Sequence, residues 1–331
     1  APGTELATVN EKIANNKKAL YEFFRIARPQ GDPAAKQVSN RSLLDFRLNS
    51  NLEIREMYGR KNAVRGTKRL GEPPSTQVRP GGVADLGAEI LSNRNPKTVN
   101  LGIMVAGNSG LPGGDLANRD GPITAADKNH KGQEESIVAN AILTKYGDDE
   151  KEQSEFWKAT IGGAWGLSGQ PNKTSRATLQ RVDFVKSEDV NDYNGCNIVP
   201  DCQLEGKAHA GHRGARYNAH LFFANSVNAS KGRNAQSTLT RTCNEKAVND
   251  YDFFKECIKV KLRSSLDAMA LGGVTHALVA KLSCGINAGP HKAQINKDFA
   301  GILQEVLNEP VGPNRELRGQ YFEEVIIADR G

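Results

Sequence analysis

The sequence lacks the features of several common protein classes. Its five cysteines form no Cys-x-x-Cys pair, so reduced thiols are expected rather than a disulfide scaffold or a cysteine-rich zinc site. No apolar run approaches the roughly 20 residues of a membrane-spanning helix, and no membrane association is expected. The first residues lack the apolar segment of a secretory signal. A cytoplasmic or nuclear protein is therefore favoured, although secretion after removal of a signal is compatible with the sequence.

The residues that are present are typical of a globular chain with a buried core. Hydrophobic residues make up 38% of the 331 positions and charged residues 25%, which together exclude a disordered chain. The formal net charge of +6 favours encounters with polyanions, including nucleic acids and phosphate-bearing ligands or polymers. The basic run from Arg60 to Arg69 is short, and a solvated loop explains it better than a binding strip.

Hydrophobic periodicity predicts an α/β body preceded by a helical N-terminal extension. Residues 5–27 have helical spacing, and a region rich in Pro, Gly and Asn follows at 31–82, with one short helix near residues 42–58. From residue 100 onwards strands alternate with helices, as in a mainly parallel sheet that is covered on both faces. We therefore divide the chain into an extension, residues 1–95, that packs on a body, residues 96–331.

The elements of the body follow from its apolar runs and glycine stops. Strands are predicted at residues 100–108, 181–187, 219–227, 275–283 and 321–329. Helices are predicted at residues 133–147, 244–273 and 291–308. Ligands of such a sheet bind at the carboxyl ends of its strands.

Small residues, Gly and Asn follow three of the predicted strands. The segments are VAGNSGLPGG, FFANSVN and LSCGINAGP. In such turns backbone N–H groups can approach an anion closely. One glycine turn alone is more often structural, but two facing glycine loops favour a diphosphate ligand.

Two consecutive glutamates, Glu134 and Glu135, stand at the predicted start of the helix that begins at Gln133. One interpretation is an acidic first turn, which the helix dipole stabilises. Successive helical residues point about 100° apart, so only one of the two carboxylates can face a given cleft. The pair is therefore also compatible with one catalytic carboxylate and one supporting neighbour.

Taken together, these motifs resemble the macrodomain proteins of the poly(ADP-ribose) glycohydrolase class. The resemblance rests on an apolar strand ending in Asn, a PGG turn, a QEE helix start, LFFANSVN and HALVAKLSCGINAGP, and it covers residues 100–329. It implies a three-layer α/β/α sandwich with a mixed, mainly parallel central sheet. It also implies hydrolysis of the ribose–ribose O-glycosidic bond of poly(ADP-ribose), with Glu135 as general acid and base and Glu134 orienting the ribose.

The same resemblance implies the ligand contacts and partners. The implied contacts are Asn108, Gly113, Gly114, Gln133, Asn225, Ser283, Cys284, Gly285, Ile286, Asn287, Ala288 and Gly289. The ligand would be ADP-ribose or poly(ADP-ribose), with ADP-ribosylated proteins as further partners, and the chain is expected to be a monomer. Neither a metal nor another cofactor is implied.

One departure from the family pattern keeps other functions open. The family usually has three consecutive glycines and a short spacer before QEE, whereas here Gly113 and Gly114 are followed by a longer segment, residues 115–132. If this segment displaces the glutamates, a non-catalytic reader of ADP-ribose is expected. A hydrolase of single ADP-ribose groups on protein or nucleic acid is the third alternative.

Several further residues have two interpretations. Asn108 suits a ribose hydroxyl and a turn equally well, whereas Asn225 and Asn228 suit a turn better. Phe223 and Phe299 could line an adenine pocket, but the core is the better prediction. The segment with Cys202, His209, His212 and His220 could bind zinc, although histidines in a Gly- and Ala-rich loop are more often solvated.

Overall fold

The computed structural model describes the α/β body and a few positions of the N-terminal third. The described residues are Glu11, Ala14, Asn15, 44–46, Tyr58, 72–94, 98–106, Gln133, Ile137, 141–142, 196–205, 216–224, 227–230 and 238–330. The strands are β1 (Leu44–Phe46), β2 (Thr76–Pro80), β3 (Leu101–Ala106), β4 (Ala141–Ile142), β5 (Cys196–Glu205), β6 (Arg216–Ala224), β7 (His276–Ala280) and β8 (Glu324–Asp329). The helices are α1 (Val83–Ser92), α2 (Thr238–Asn249), α3 (Tyr251–Leu271) and α4 (Lys292–Leu307), with 3₁₀ segments at Ile286–His291 and Arg318–Tyr321.

The strands form one mixed sheet in the order β1-β5-β6-β3-β7-β8-β2, with β4 paired to β5. The five strands from β6 to β2 run parallel to one another. The pairs β1/β5, β4/β5 and β5/β6 are antiparallel. The mainly parallel sheet that the sequence predicts is therefore confirmed.

Helix α1 covers one face of the sheet, and the close contact of its backbone with the strands depends on Gly87. A Cβ added at Gly87 would lie 2.7 Å from Leu204 Cδ1 and 2.9 Å from Ile103 Cδ1. Both methyl ends would have to shift to admit a side chain at this position, whereas Gly87 lets the helix backbone pack directly on them. This close packing offsets the roughly 0.5–1 kcal/mol by which glycine disfavours a helix relative to alanine.

Helices α2, α3 and α4 cover the other face. Alternate strand residues such as Met104, Phe222 and Val279 are fully buried there together with Phe254 of α3 and Phe299 of α4. Because successive residues of a strand point to opposite faces, strands that are buried along their whole length require helices on both sides. The three-layer α/β/α arrangement is thus the solution that these apolar strands permit.

The ends of α3 follow from two residues in the sequence. Asp250 is its N-cap, with a side chain that accepts a hydrogen bond from Phe253 N–H at 2.9 Å. Gly273 has a φ of 80° directly after the last turn, which is the left-handed conformation that glycine favours. The glycine stop is confirmed, but the single helix predicted at 244–273 is wrong, because the Asp250 cap divides it into α2 and α3.

The N-terminal part of the chain contributes to the same body. β1 and β2 are the two edges of the sheet, and β2 pairs in parallel with β8. Tyr58 is fully buried, and its ring centroid lies 4.8 Å from that of Tyr321. The division of the chain at residue 95 stays a prediction, to which the structure adds that β1, β2 and α1 belong to the layers described above.

Three local predictions need correction or lie outside the described residues. The short helix predicted at 42–58 is wrong at Leu44–Phe46, which forms β1 against β5. The helix predicted at 133–147 is found at Gln133 and Ile137, but Ala141–Ile142 forms β4. A short apolar run suits either conformation, and pairing with β5 decides it here. The strand predicted at 181–187 lies outside the described residues.

Candidate functional site at the carboxyl edge of the sheet

The parallel strands end along one edge of the sheet, and this edge is the candidate site. In spatial order the last residues of β6, β3, β7, β8 and β2 are Ala224, Ala106, Ala280, Asp329 and Pro80. Loops that follow these strands meet at the same edge. The predicted ligand contacts come from the loops after β6, β3 and β7.

The loops after β6 and β7 are joined by hydrogen bonds. Ser283 Oγ donates to the carbonyl of Val227 at 3.2 Å, and Ala229 N–H donates to the carbonyl of Asn287 at 2.8 Å. Because β3 lies between β6 and β7, these bonds connect the two loops across the end of β3. The segment that leaves β3 is the one that contains Asn108 and the PGG turn.

This junction requires a glycine at position 289. Gly289 has φ 52° and ψ −126°, which an L-residue adopts only with strain. A Cβ added there would lie 2.1 Å from the Ala229 carbonyl oxygen. Gly289, the second glycine of LSCGINAGP, therefore has a packing role, because it lets the backbones of the two loops contact each other.

Side chains of the same loop point inward, while one backbone position faces open space. Cys284 is 3% exposed, and burial raises the pKa of its thiol to about 12, so the thiol stays protonated at neutral pH. Its Sγ donates to the Leu282 carbonyl at 3.4 Å. A Cβ added at Gly285 would meet no heavy atom within 4 Å. A ligand could therefore reach the loop through the Gly285 backbone rather than through the Cys284 sulfur.

Polar side chains at its base hold this loop to α4 and to β8. Asn296 Nδ2 donates to the Cys284 carbonyl at 2.8 Å. Lys281 Nζ donates to Asp329 Oδ2 at 2.6 Å and to Asn296 Oδ1 at 3.3 Å. The ammonium group at this edge is therefore paired with a carboxylate, and both ends of the 281–285 segment are fixed.

Gln133 is the described residue of the QEE motif, and it lies at the same edge. Its Oε1 accepts a hydrogen bond from Val83 N–H, the first residue of α1, at 3.2 Å. Helix α1 begins at this edge because it directly follows β2, and Gly81 N–H between them donates to the Asp329 carbonyl at 2.8 Å. The structure thus brings the start of the QEE motif to the edge where the loops after β6 and β7 meet.

The remaining predicted site residues divide into two groups. Asn108, Gly113, Gly114, Glu134, Glu135 and Asn225 lie outside the described residues. Ile286, Asn287 and Ala288 belong to the 3₁₀ segment after Gly285, and Ala288 is fully buried. Their roles as ligand contacts stay predictions.

Asn228 and two phenylalanines have structural roles in the described part of the chain. Asn228 Oδ1 accepts from Ser230 N–H at 2.9 Å, and Asn244 Oδ1 accepts from Asn228 N–H at 2.7 Å, so Asn228 shapes the loop as its turn interpretation requires. Phe223 is 4% exposed and Phe299 is fully buried. Both phenylalanines are core residues, as predicted.

A zinc site gains no support from the part of the chain that the structure describes. No group of three His, Cys, Asp or Glu side chains in this part could hold a metal ion. His220 is 7% exposed in β6, and burial lowers its pKa to about 3. It is thus a neutral core histidine rather than a solvated loop residue. His209 and His212 lie outside the described residues.

Several residues that hold the loops at this edge were not predicted as site residues from the sequence. Lys281 lies inside the strand predicted at 275–283, which in the structure ends at Ala280, and Asp329 ends the strand predicted at 321–329; the pairing of their side chains was not predictable. Val83 and Asn296 gave no sequence signal, because each acts through a partner in another element of the fold.

Within the described residues, no helix is both long and apolar enough to cross a membrane.

The chain is similar in structure to several solved glycohydrolases. Poly(ADP-ribose) glycohydrolase from Thermomonospora curvata aligns with a TM-score of 0.48 and 14% identity over 97% of this chain and 93% of that one. The same enzyme bound to the inhibitor ADP-HPD gives 0.46 and 13% over the same shares. Poly(ADP-ribose) glycohydrolase from Deinococcus radiodurans in complex with ADP-ribose gives 0.45 and 14% over 91% of each chain. No protein-family model and no curated protein sequence matches the chain.

Proposed function

We propose that the chain is an ADP-ribose glycohydrolase that cleaves the ribose–ribose O-glycosidic bond of poly(ADP-ribose). The proposal makes Glu135 the general acid and base and Glu134 its ribose-orienting neighbour. It is a glycosidase-type hydrolysis that needs neither a metal nor another cofactor. The observation that carries the proposal is that the loops after β6 and β7 are joined at the sheet edge where Gln133, the start of QEE, bonds to α1.

The joined loops after β6 and β7 support the ligand part of the proposal. They are fixed by the bonds of Ser283 and Ala229, and Gly285 leaves backbone open beside them. Preformed backbone donors at the carboxyl ends of parallel strands suit a diphosphate, because binding then requires little reordering. The segment with Gly113 and Gly114 follows β3, the strand that lies between β6 and β7.

Covalent connectivity supports the catalytic part. Gln133 is at the edge, and consecutive Cα atoms are about 3.8 Å apart, so Glu135 has its Cα within roughly 8 Å of that of Gln133. A helix that begins there turns successive side chains about 100° apart. One glutamate of the pair can therefore face the ligand while the other points elsewhere.

The chemistry of the bond explains why a single glutamate suffices. Cleavage at the ribose anomeric carbon passes through an oxocarbenium-like state, so a carboxylic acid must protonate the leaving oxygen. The resulting carboxylate can then take a proton from the attacking water. Burial beside a second carboxylate and a bound diphosphate favours the protonated form of the acid, which it needs at neutral pH.

Products of purified poly(ADP-ribose) test the proposal. We expect the wild-type chain, acting as a monomer, to release free ADP-ribose, which chromatography detects. Release of ADP-ribose only from singly modified protein or nucleic acid would replace the polymer as substrate. Calorimetric binding of ADP-ribose without any turnover would indicate a reader of ADP-ribosylated proteins. Absence of binding at millimolar ADP-ribose would contradict all three functions.

A further inference from the structure

Helix α1 has a cap that comes from a distant part of the sequence. The first N–H groups of a helix have no partner within it, and Gly82, at the N-cap of α1, has no side chain to offer one. Gln133 Oε1 accepts the N–H of Val83 at 3.2 Å although the two residues are 50 positions apart. The carboxamide therefore satisfies the N–H of the first helical residue, as an N-cap Ser, Thr, Asp or Asn satisfies that of the second or third.

We propose that Gln133 is a positioning residue, which ties the start of the QEE motif to the N-terminus of α1, rather than a contact to the ligand. The inference rests on the proposed function, because the groups that it positions are Glu134 and Glu135. Gln133 Oε1 already accepts the Val83 N–H, which leaves the two Nε2 donors as the hydrogen-bond donors that the side chain can offer a ligand.

The point of attachment is rigid. Val83 and the apolar face of α1 are buried, with Leu86 at 3% and Leu91 at 2% exposure. Gly81 N–H is bonded to the Asp329 carbonyl at the end of β8. The hydrogen bond to Val83 N–H therefore holds Gln133 in place relative to the sheet, from which the loops after β6 and β7 also extend.

Two substitutions separate positioning from ligand contact. Gln133→Glu keeps an acceptor for Val83 N–H, and its charge is favourable at a helix N-terminus, but it removes the amide donors. Gln133→Leu removes both functions. A positioning role predicts that only the leucine variant is impaired, whereas a ligand contact through Nε2 predicts that both are impaired.

Gln304 provides a matched control. Its Oε1 accepts Thr76 N–H at 3.1 Å, so Gln304→Leu removes the same kind of long-range bond at the opposite end of β2. We expect it to change stability to a similar extent and to leave kcat unchanged. A loss of kcat in this variant would mean that the Gln133→Leu effect is a general consequence of lower stability, and would overturn the positioning role.

The experiment measures amide exchange at Val83 by NMR together with kcat and KM on poly(ADP-ribose) for the full chain. We expect Gln133→Leu to speed amide exchange at Val83 about tenfold and to lower kcat by roughly ten- to a hundredfold with little change in KM. We expect Gln133→Glu to stay close to wild type in both measurements.

Unchanged amide exchange at Val83 in the leucine variant would refute the hydrogen bond between Gln133 and Val83. Equal losses in both variants, or a raised KM, would assign Gln133 to the ligand. A wild type without turnover would contradict the proposed function and the positioning role, whereas Val83 exchange would still test the hydrogen bond itself.

Discussion

Arg318 and Asp267 form an ion pair inside the protein, with Arg318 Nε donating to Asp267 Oδ1 at 2.8 Å and side-chain exposures of 3% and 0%. Tyr58 donates its hydroxyl hydrogen to the same oxygen at 2.6 Å. Arg318 also donates to the Val306 carbonyl and to Glu309. The pair thus joins the N-terminal part of the chain, α3 and the segment before β8.

Removing the charge of Asp267 is expected to destabilise the fold. Asp267→Asn removes the buried carboxylate of the pair and leaves the Arg318 guanidinium paired with Glu309, so we expect a loss of about 3 kcal/mol in the free energy of unfolding. Tyr58→Phe removes one hydrogen bond and costs about 1–2 kcal/mol. Urea denaturation measures both, with the exposed Glu245→Gln as control at less than about 0.5 kcal/mol. An Asp267→Asn variant as stable as this control would contradict the structural role of the pair.

Stability is expected to fall as the pH drops below the ordinary histidine pKa. Burial lowers the pKa of His220 to about 3 in the folded chain, whereas the unfolded chain binds a proton near pH 6.5. Between these values the unfolded state carries the extra proton, so the free energy of unfolding falls by about 1.4 kcal/mol per pH unit below pH 6.5.

Urea denaturation of the wild type and of His220→Leu at pH 7.5, 6 and 5 measures this slope. The substitution removes the titrating group, so the variant should lose less stability than the wild type across the same interval, whatever its stability at pH 7.5. Parallel pH curves for the two proteins would show that His220 is not held neutral by burial.

Substitution of Gly289 is expected to separate the two loops at the sheet edge. Gly289→Ala forces a Cβ to within 2.1 Å of the Ala229 carbonyl oxygen at a positive φ, and the strain costs about 1–3 kcal/mol. We expect weaker ADP-ribose binding along with lower thermal stability. Gly301→Ala is the control, since a Cβ there meets no atom within 4 Å. Wild-type affinity in Gly289→Ala would exclude this junction from the ligand site.

The Cys284 thiol is expected to be unreactive in the folded chain. Burial raises its pKa to about 12, and the thiolate is the reactive form. Iodoacetamide at pH 8 followed by peptide mass spectrometry should find Cys284 unmodified until denaturant is added. Rapid modification of the native protein would contradict the inward orientation of this side chain.

Sequence patterns predicted the centre of the fold better than its edges. The apolar run of β7 and the helical spacing of α4 place these elements within a few residues of their observed bounds, because both are buried along a continuous face. The sequence of β2 predicts a loop, because the strand is only five residues long and ends in Pro80. Its strand conformation depends on pairing with β8, which lies more than 240 positions away and leaves no local signal.

The candidate site divides in the same way. Glycine and asparagine at strand ends indicated the loops after β6 and β7, which the structure joins at the carboxyl edge. The bond between Gln133 and Val83 and the pairing of Lys281 with Asp329 were not predictable, because each joins side chains or backbone from separate elements. Local composition indicates where a ligand loop lies, whereas the contacts that fix it depend on the assembled sheet.

The proposed reaction is tested most directly by removing the acid from Glu135. Glu135→Gln is compared with wild type and with the exposed Glu245→Gln in release of ADP-ribose from poly(ADP-ribose), alongside calorimetric affinity for ADP-ribose. We predict that Glu135→Gln lowers release by about 100- to 10,000-fold with affinity retained, and that Glu245→Gln matches wild type. Release at the wild-type rate by Glu135→Gln would contradict the assignment of this carboxyl group as the general acid.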